Sequence, residues 1–392
     1  MKEPLVVKLP SEGTLMRDFV SVSLNYIGEE SHVNLEWLGD EVKITASMRL
    51  LETAFRSLYE RSADLAKKKA EGVRMGILRN DKNVFLRLLG TKKDKDIGTY
   101  LDVATTFLKK SSYDIKLSSF NKLERHANGI KLGDGGFAAL NFLVTEKYEC
   151  GLEFERLNFR LRFRIELDKA WYSLVLAGFA LCTSTKVDED ILFVYPPEDF
   201  IRLGQTNIRL FDAIRRSFGG FSGLQEKTNN VLYDARCIGE PFPATMLFLS
   251  LKLSEETKKN GSLDILRSED INSLPLSLCR LRRTGNVFTI VDRRRVELSN
   301  VLRFSSNLAM RNDRSVEELG RICRRTIQLA SGRFRPRRDE PDFTVYNRFT
   351  TLLLQAIEQA YSAYEIVYYG SRYGLISRTL GEDIIGALSA IS

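Results

Sequence analysis

Residues Leu157 to Leu167 alternate without interruption between apolar and polar side chains, and this pattern narrows the fold more than any other stretch of the chain. A period of two predicts a β-strand with one buried face. Asp168 is then the predicted N-cap of an almost wholly apolar helix that ends near Cys182. A second strand, Ile191 to Tyr195, is predicted to stop at Pro196-Pro197. A core shared between sheet and helix follows from this order.

The predicted fold class is α+β, with a mixed α/β N-terminal region that contains antiparallel strands and a mainly helical, basic C-terminal domain. A chain of 392 residues with 43% hydrophobic content can hold two or three domains. The polar connection over 254–275 places the predicted division between 1–270 and 271–392. A further split of the first region near 128–150 is left open. Within the second region, the sequence predicts a short strand over 287–291, a helix over 316–329 with Ser315 as its N-cap, and a single helix over 347–369. The sequence shows neither a leader-type apolar segment nor a membrane-length apolar run, so a cytoplasmic protein is expected.

Positive charge is concentrated in one part of the chain. Between Leu276 and Arg348 there are seventeen arginines, no lysine and eight acids, a net of +9 against +8 for the whole chain. Guanidinium groups are planar, always charged and able to bind phosphate through two parallel hydrogen bonds. This segment is therefore predicted to lie along a nucleic-acid backbone. The alternative is a solvated helical face with scattered ion pairs.

The predicted nucleic-acid contacts come from charge clustering alone. On the predicted strand 157–167, alternate arginines would stand about 7 Å apart, at ~3.3 Å per residue. Arginines at i, i+3 and i+4 share one helix face over 321–325. Three lysines end the long helix predicted over 47–69, where they also suit the helix dipole. The predicted contacts are Arg280, Arg282, Arg283, Arg293, Arg294, Arg295, Arg321, Arg324, Arg325, Arg333, Arg335, Arg337, Arg338, Arg160, Arg162, Arg164, Lys67, Lys68 and Lys69. If half of the seventeen arginines in the basic segment touch phosphate, the salt slope of binding would be about −6 to −8.

The tyrosines near the end of the chain allow two interpretations. Tyr361, Tyr364, Tyr368, Tyr369 and Tyr373 could stack on unpaired bases. Their spacing of three to four residues favours a packed helix face instead.

The sequence lacks the catalytic motifs of several enzyme classes. The sequence contains no GxxxxGK[ST], HExxH or GxSxG motif, and its two histidines cannot supply the usual triads or imidazole metal sites. The five cysteines are widely separated, so core positions are expected rather than a zinc site. Asp188 and Asp190 are interpreted as a solvated turn rather than a metal site. No catalytic residue, metal ligand or cofactor is predicted.

Two segments of the chain resemble a known family. They are residues 167–173 (Leu-Asp-Lys-Ala-Trp-Tyr-Ser) with 176–180 (Leu-Ala-Gly-Phe-Ala), and residues 193–198 (Phe-Val-Tyr-Pro-Pro-Glu). Together with the order of the parts, they resemble the large subunit of archaeal type I-A CRISPR Cascade interference complexes. The resemblance extends over the whole chain in layout and is specific only over about 160–200.

This resemblance implies a non-catalytic subunit of a guide-RNA ribonucleoprotein. Such a subunit contacts the RNA 5′ handle, engages target double-stranded DNA beside the protospacer-adjacent motif, and docks the helicase-nuclease. Its other partners would be the backbone, handle-binding and small subunits of Cascade. Guide pairing would read the target sequence, so the protein needs only backbone contacts and a short motif reader. The alternatives are a metal-dependent nucleic-acid-processing enzyme and a structural subunit that binds an acidic protein partner.

Overall fold

The computed structural model describes residues 4–31, 33–92, 97–126, 129–144, 164–240, 242–267, 271, 273–332, 334–338, 340–359 and 361–391. The chain divides into two compact units. The first consists of Met1–Arg202 with Cys279–Arg294, and the second of Leu203–Leu278 with Arg295–Ser392. The predicted limit at residue 270 lies inside the second unit, because that unit already begins at Leu203. Residues 279–294 then belong to the first unit again. The predicted α+β class is confirmed.

The first unit is mixed α/β, and all of the described strands lie in it wholly or in part. In chain order its elements are β1 (Leu5–Lys8), α1 (Leu15–Ser31), β2 (Asn34–Leu38), β3 (Glu41–Thr45), α2 (Met48–Ala70), α3 (Arg79–Leu89), α4 (Tyr100–Ser111), β4 (Leu123–His126), β5 (Gly129–Leu132), β6 (Phe137–Ala138), β7 (Arg164–Leu167), α5 (Lys169–Cys182), β8 (Thr183–Val187), β9 (Asp190–Tyr195), α6 (Glu198–Thr206), β10 (Pro275–Thr284) and β11 (Val287–Glu297). The division between the units passes through α6, β10 and β11.

Three sheets are built from these strands. Their orders are β1-β3-β2, β4-β5-β7-β6 and β11-β10-β9-β8. The predicted antiparallel pairing is present, for example between β2 and β3, while β5 and β7 run parallel. The hairpin β10–β11 is longer than the short strand predicted at 287–291. It turns at Gly285, whose φ of +62° suits glycine.

Helix α5 forms the centre of the first unit's core, as its apolar sequence predicts. Every side chain from Trp171 to Cys182 is buried. Asp168 accepts the backbone N–H of Trp171, which confirms the predicted N-cap. At Gly178 an added Cβ would lie 2.0 Å from the carbonyl oxygen of Phe19, so only glycine permits this approach of α1 and α5. The Phe19 ring also lies 5.4 Å from the ring of Phe193 on β9.

Apart from the ends of β10 (275–278) and β11 (295–297), the described elements of the second unit are all helices. They are α7 (Ile208–Phe218), α8 (Phe221–Ala235), α9 (Phe242–Lys259), α10 (Leu263–Arg267), α11 (Ser299–Arg311), α12 (Asp313–Ala330), α13 (Phe343–Ile357), α14 (Ala363–Arg372) and α15 (Arg378–Ser389). Helix α9 is buried along most of its length and packs against α11, α12 and α13. This agrees with the helical C-terminal region predicted from the sequence.

Two details of these helices differ from the prediction. The N-cap of α12 is Asn312, whose side chain accepts the backbone N–H of Arg314. Ser315 lies inside the first turn and donates a hydrogen bond of 2.6 Å to Asp383 on α15. The single helix predicted over 347–369 is two helices, α13 and α14. Gln359, in the connection between them, has a φ of +63°, a conformation that a helix interior does not allow.

Candidate nucleic-acid interface

The arginines of β10 face a buried carboxylate. Arg282 donates from Nε and Nη2 to the two oxygens of Asp190, at 2.6 and 2.8 Å, and the Asp190 side chain is 8% exposed. Arg280 lies on the same carboxylate, with 3.9 Å between its Nε and Asp190 Oδ2. Arg283 donates to the carbonyl oxygens of Gly76 and Gly285. These three guanidinium groups therefore hold the hairpin in place.

The arginines of β11 are similarly engaged. Arg293 pairs with Asp18 of α1, at 2.5 Å, and also donates to the carbonyl oxygen of Gly13. Arg294 pairs with its neighbour Asp292. Arg295 is exposed and begins the second part of the second unit. The charges of Arg293 and Arg294 are compensated within the chain, so they add little net positive charge to a phosphate-binding surface.

The three predicted lysines at the end of α2 are not equivalent. Lys67 and Lys68 are exposed, whereas Lys69 is 4% exposed. The Nζ of Lys69 donates to the carbonyl oxygens of Ala180 and Thr183, where α5 ends. Lys69 satisfies backbone acceptors that the end of a helix leaves open. The structure therefore contradicts its prediction as a phosphate contact.

The predicted arginine row of strand 157–167 falls mostly outside the described residues. Arg160 and Arg162 of this strand lie outside the described residues, and so does Arg333 of the basic loop. Arg164 is described, as the exposed first residue of β7.

Helix α12 brings two exposed arginines to one face. Arg321 and Arg324 are exposed, and the guanidinium of Arg324 lies 5.7 Å from the centre of the Phe248 ring on α9. Arg325 shares their face, as the spacing predicts, but its side chain is only 20% exposed. Its guanidinium bends toward the loop that follows the helix.

That loop is fixed by an interaction that we call the Arg325–Glu340 clasp. Arg325 Nε and Nη2 each donate to a Glu340 oxygen at 2.6 Å, and Nη2 also reaches the carbonyl oxygen of Arg335. Glu340 further accepts the backbone N–H of Arg337 at 2.9 Å and the hydroxyl of Tyr346 at 3.1 Å. The hydrogen bonds from Arg325, helped by those from Arg337 and Tyr346, lower the pKa of Glu340 to about 2, although burial opposes this.

The clasp leaves the side chains of the loop pointing into solvent. Arg335, Arg337 and Arg338 are exposed, and Pro336 restricts the backbone between the first two. None of these three makes an ion pair in the described part of the chain, and the same holds for Arg321 and Arg324. We call this set the guanidinium surface: Arg321, Arg324, Arg335, Arg337 and Arg338. Among the residues that the structure describes, these are the predicted contacts on α12 and on the loop after it that have no carboxylate partner.

Sequence reasoning missed the residue that organises this surface. Glu340 was counted only as one of eight acids that reduce the net charge. Its position two residues after the arginine run, just before Pro341 and the N-cap Asp342, was the available signal. An acid beside a run of arginines is often an internal partner for one of them.

The packed face predicted for the five tyrosines is wrong at four positions, because Tyr361, Tyr364, Tyr368 and Tyr373 are all exposed. Tyr364 and Tyr368 on α14 are 74% and 66% exposed. Tyr369 is half-buried, and its ring centre lies 4.8 Å from that of Tyr373.

Other predictions concern cysteines and metals. Cys182, Cys237, Cys279 and Cys323 are buried, which confirms them as core residues, while Cys150 lies outside the described residues. Within the described ranges, no group of three potential His, Cys, Asp or Glu ligands is found. No helix in the described part of the chain has the length and apolar character needed to cross a bilayer.

Comparison of the chain with protein-family models and with curated proteins finds no match. The functional interpretation therefore rests on the side chains and on the sequence resemblance described above.

Proposed function

We propose that this chain binds nucleic acid through the guanidinium surface. The observation that carries the proposal is the Arg325–Glu340 clasp, which holds three exposed arginines on a short loop next to two exposed arginines of α12. A fixed loop loses little conformational entropy when it binds. Arginine at such positions favours bidentate contacts with phosphate oxygens.

The proposed biological role is the non-catalytic large subunit of a cytoplasmic CRISPR RNA-guided DNA surveillance complex. The support for this role is the resemblance over residues 167–180 and 193–198. In such a complex the chain would bind target double-stranded DNA near the protospacer-adjacent motif and the guide RNA near its 5′ handle. It would also contact the other Cascade subunits and dock the helicase-nuclease.

The chemistry of the guanidinium surface fits affinity rather than sequence reading. Arginine–phosphate contacts set the position of a nucleic acid and make its binding depend on salt. In a guided complex, base pairing with the RNA supplies the sequence specificity. The residues of this chain therefore need only hold the backbone.

The test is the salt dependence of duplex binding. Replacing Arg335, Arg337 and Arg338 by alanine is expected to flatten the slope of log K against log salt by up to about 2.7, at ~0.9 per lost phosphate contact. A charge-matched control replaces Lys92, Lys109 and Lys110, three exposed lysines of the first unit. The control is expected to keep the wild-type slope. An arginine variant with the wild-type slope and affinity would overturn the proposal.

The role in a guided complex has its own test. The purified chain is mixed with guide RNA and the backbone, handle-binding and small subunits, and co-elution is measured by size-exclusion chromatography. Co-elution that requires the RNA-loaded complex supports the role. Binding to an acidic subunit without any affinity for DNA or RNA would favour the structural alternative. Mg²⁺-dependent cleavage of DNA by the chain alone, abolished by EDTA, would favour the enzyme.

A further inference from the structure

Helix α14 presents an aromatic stripe to solvent. Tyr364 and Tyr368 are one helical turn apart, so their side chains point the same way, and Arg372 follows one turn later. The stripe is about 12 Å long at 1.5 Å per residue. Glu365 lies at the edge of the same exposed face. Two tyrosine rings exposed to this extent on neighbouring turns form an aromatic surface that the described part of the chain leaves uncovered.

The opposite face of α14 is tightly anchored. Ile366 and Gly370 are buried, and an added Cβ at Gly370 would lie 2.8 Å from Ile376 and 2.9 Å from Phe349. The helix therefore sits close against its neighbours on that side, and a rotation that buried the tyrosines would expose these residues. The outward orientation of Tyr364 and Tyr368 is fixed by the packing.

The stripe is next to positive charge in the same unit. Helix α14 packs on α13, which begins where the loop of the guanidinium surface ends. Tyr369 of α14 is close enough to Arg348 and Asp342 of that region for both charges to act on its hydroxyl. The guanidinium of Arg372 lies 5.9 Å from the centre of the Tyr373 ring. Arg372, one turn beyond Tyr368, therefore places positive charge beside the exposed rings.

We propose that Tyr364 and Tyr368 form a stacking platform for unpaired bases of a nucleic-acid strand whose phosphates contact Arg372 and the guanidinium surface. Exposed tyrosine rings can stack on any base, because every base has a π-face, whereas paired bases in a duplex already stack on each other. The combination of aromatic rings with nearby arginines is the arrangement that single-strand binders use. The inference rests on the proposed function and narrows it to a single-stranded segment.

The experiment compares single-stranded and duplex oligonucleotides of one length by fluorescence anisotropy with the full chain. The double variant Tyr364→Ala/Tyr368→Ala is expected to lose single-strand affinity by about thirtyfold or more, at ~1 kcal/mol or more for each lost stack. Duplex affinity and the salt slope should stay at wild-type values. The Tyr364→Phe/Tyr368→Phe variant keeps the rings and should remain within about threefold of wild type. Tyr113→Ala, which removes an even more exposed ring (83%) from the first unit, is the matched control.

The outcomes separate this inference from the proposed function. If wild type binds both nucleic acids and the alanine variant binds them equally well, the platform is wrong and the guanidinium surface stands. Equal losses on single strand and duplex would also overturn the platform, because stacking is confined to unpaired bases. If wild type binds neither form, both proposals fail. Photocrosslinking of a 5-iodouracil strand to the peptide that contains Tyr364 and Tyr368 would support the platform directly.

Discussion

Single arginines differ in what they do, although the sequence gives them the same charge. Arg282, Arg293 and Arg325 each bind a carboxylate of the chain, whereas Arg335 and Arg337 extend into solvent. The net charge of a segment does not distinguish these two groups. The difference depends on which carboxylates the fold brings near, and Asp18 and Asp190 are far from their arginines in the sequence.

The Arg325–Glu340 clasp leads us to a prediction about the pKa of the Glu340 carboxyl group. Its pKa is held near 2 mainly by the Arg325 hydrogen bonds, so Arg325→Ala is expected to raise the pKa of Glu340 toward its ordinary value of 4.5. Because the folded pKa is lowered, the clasp stabilises the fold fully above about pH 4.5 and loses this contribution as the pH falls toward 2. Carboxyl NMR titration of labelled glutamate measures the pKa. Arg321→Ala is the control and should leave it unchanged; an unchanged pKa in Arg325→Ala would contradict the clasp.

The burial of Trp171 leads to a second prediction, which concerns the free energy of unfolding. Its side chain is fully buried, its Nε1 donates to the carbonyl oxygen of Ser119 at 3.1 Å, and its ring meets Phe120 edge to face. Trp171→Ala is expected to lower the free energy of unfolding by about 3–5 kcal/mol, through lost burial and a cavity. Urea unfolding followed by circular dichroism measures the change. A variant as stable as wild type would show that the core assignment is mistaken.

At the scale of elements, the end of α5 depends on a residue from another helix. Lys69 reaches from α2 to the carbonyl oxygens of Ala180 and Thr183, which a helix terminus would otherwise leave without donors. Two elements are thereby joined through a charged group in a buried position. Such a link is costly to break, because the remaining acceptors stay buried.

Replacing this lysine should affect stability and leave binding intact. Lys69→Met is expected to lower the free energy of unfolding by about 1–3 kcal/mol, because it leaves buried acceptors unsatisfied. Lys68→Met, at an exposed position one residue away, should stay within about 0.5 kcal/mol of wild type. Both tryptophans lie in the first unit, so urea unfolding followed by tryptophan fluorescence reports on that unit. Equal stability of the two variants would contradict the role of Lys69.

Some elements could be predicted from the sequence for a clear physical reason. Helix α5 and strand β9 carry apolar patterns that only a buried position satisfies, and their limits match the prediction closely. The break between α13 and α14 was missed because no proline or glycine marks it; Gln359 adopts the unusual conformation instead. The face of the α12 arginines was predictable from helical spacing alone. The clasp was not, since it needs the position of Glu340 in three dimensions.

For the whole molecule, the number of available arginines limits how strongly binding depends on salt. Contacts from half of the basic segment would give a slope of about −6 to −8. With only the five arginines of the guanidinium surface in contact, a slope of about −4 to −5 is expected, at ~0.9 per phosphate. Duplex binding measured over a series of KCl concentrations determines it. A slope steeper than about −7 would mean that cations outside the guanidinium surface also contact phosphate.

The first unit is assembled from two stretches that are separated in the chain, and this has a consequence for its synthesis. Strands β10 and β11 supply residues 279–294 to a sheet whose other strands, β8 and β9, leave the ribosome more than eighty residues earlier. Until β10 and β11 emerge, one edge of β9 has unpaired backbone N–H and C=O groups. Such an edge can pair with other nascent chains and lead to aggregation. Slow translation between the two stretches should therefore increase the need for a chaperone.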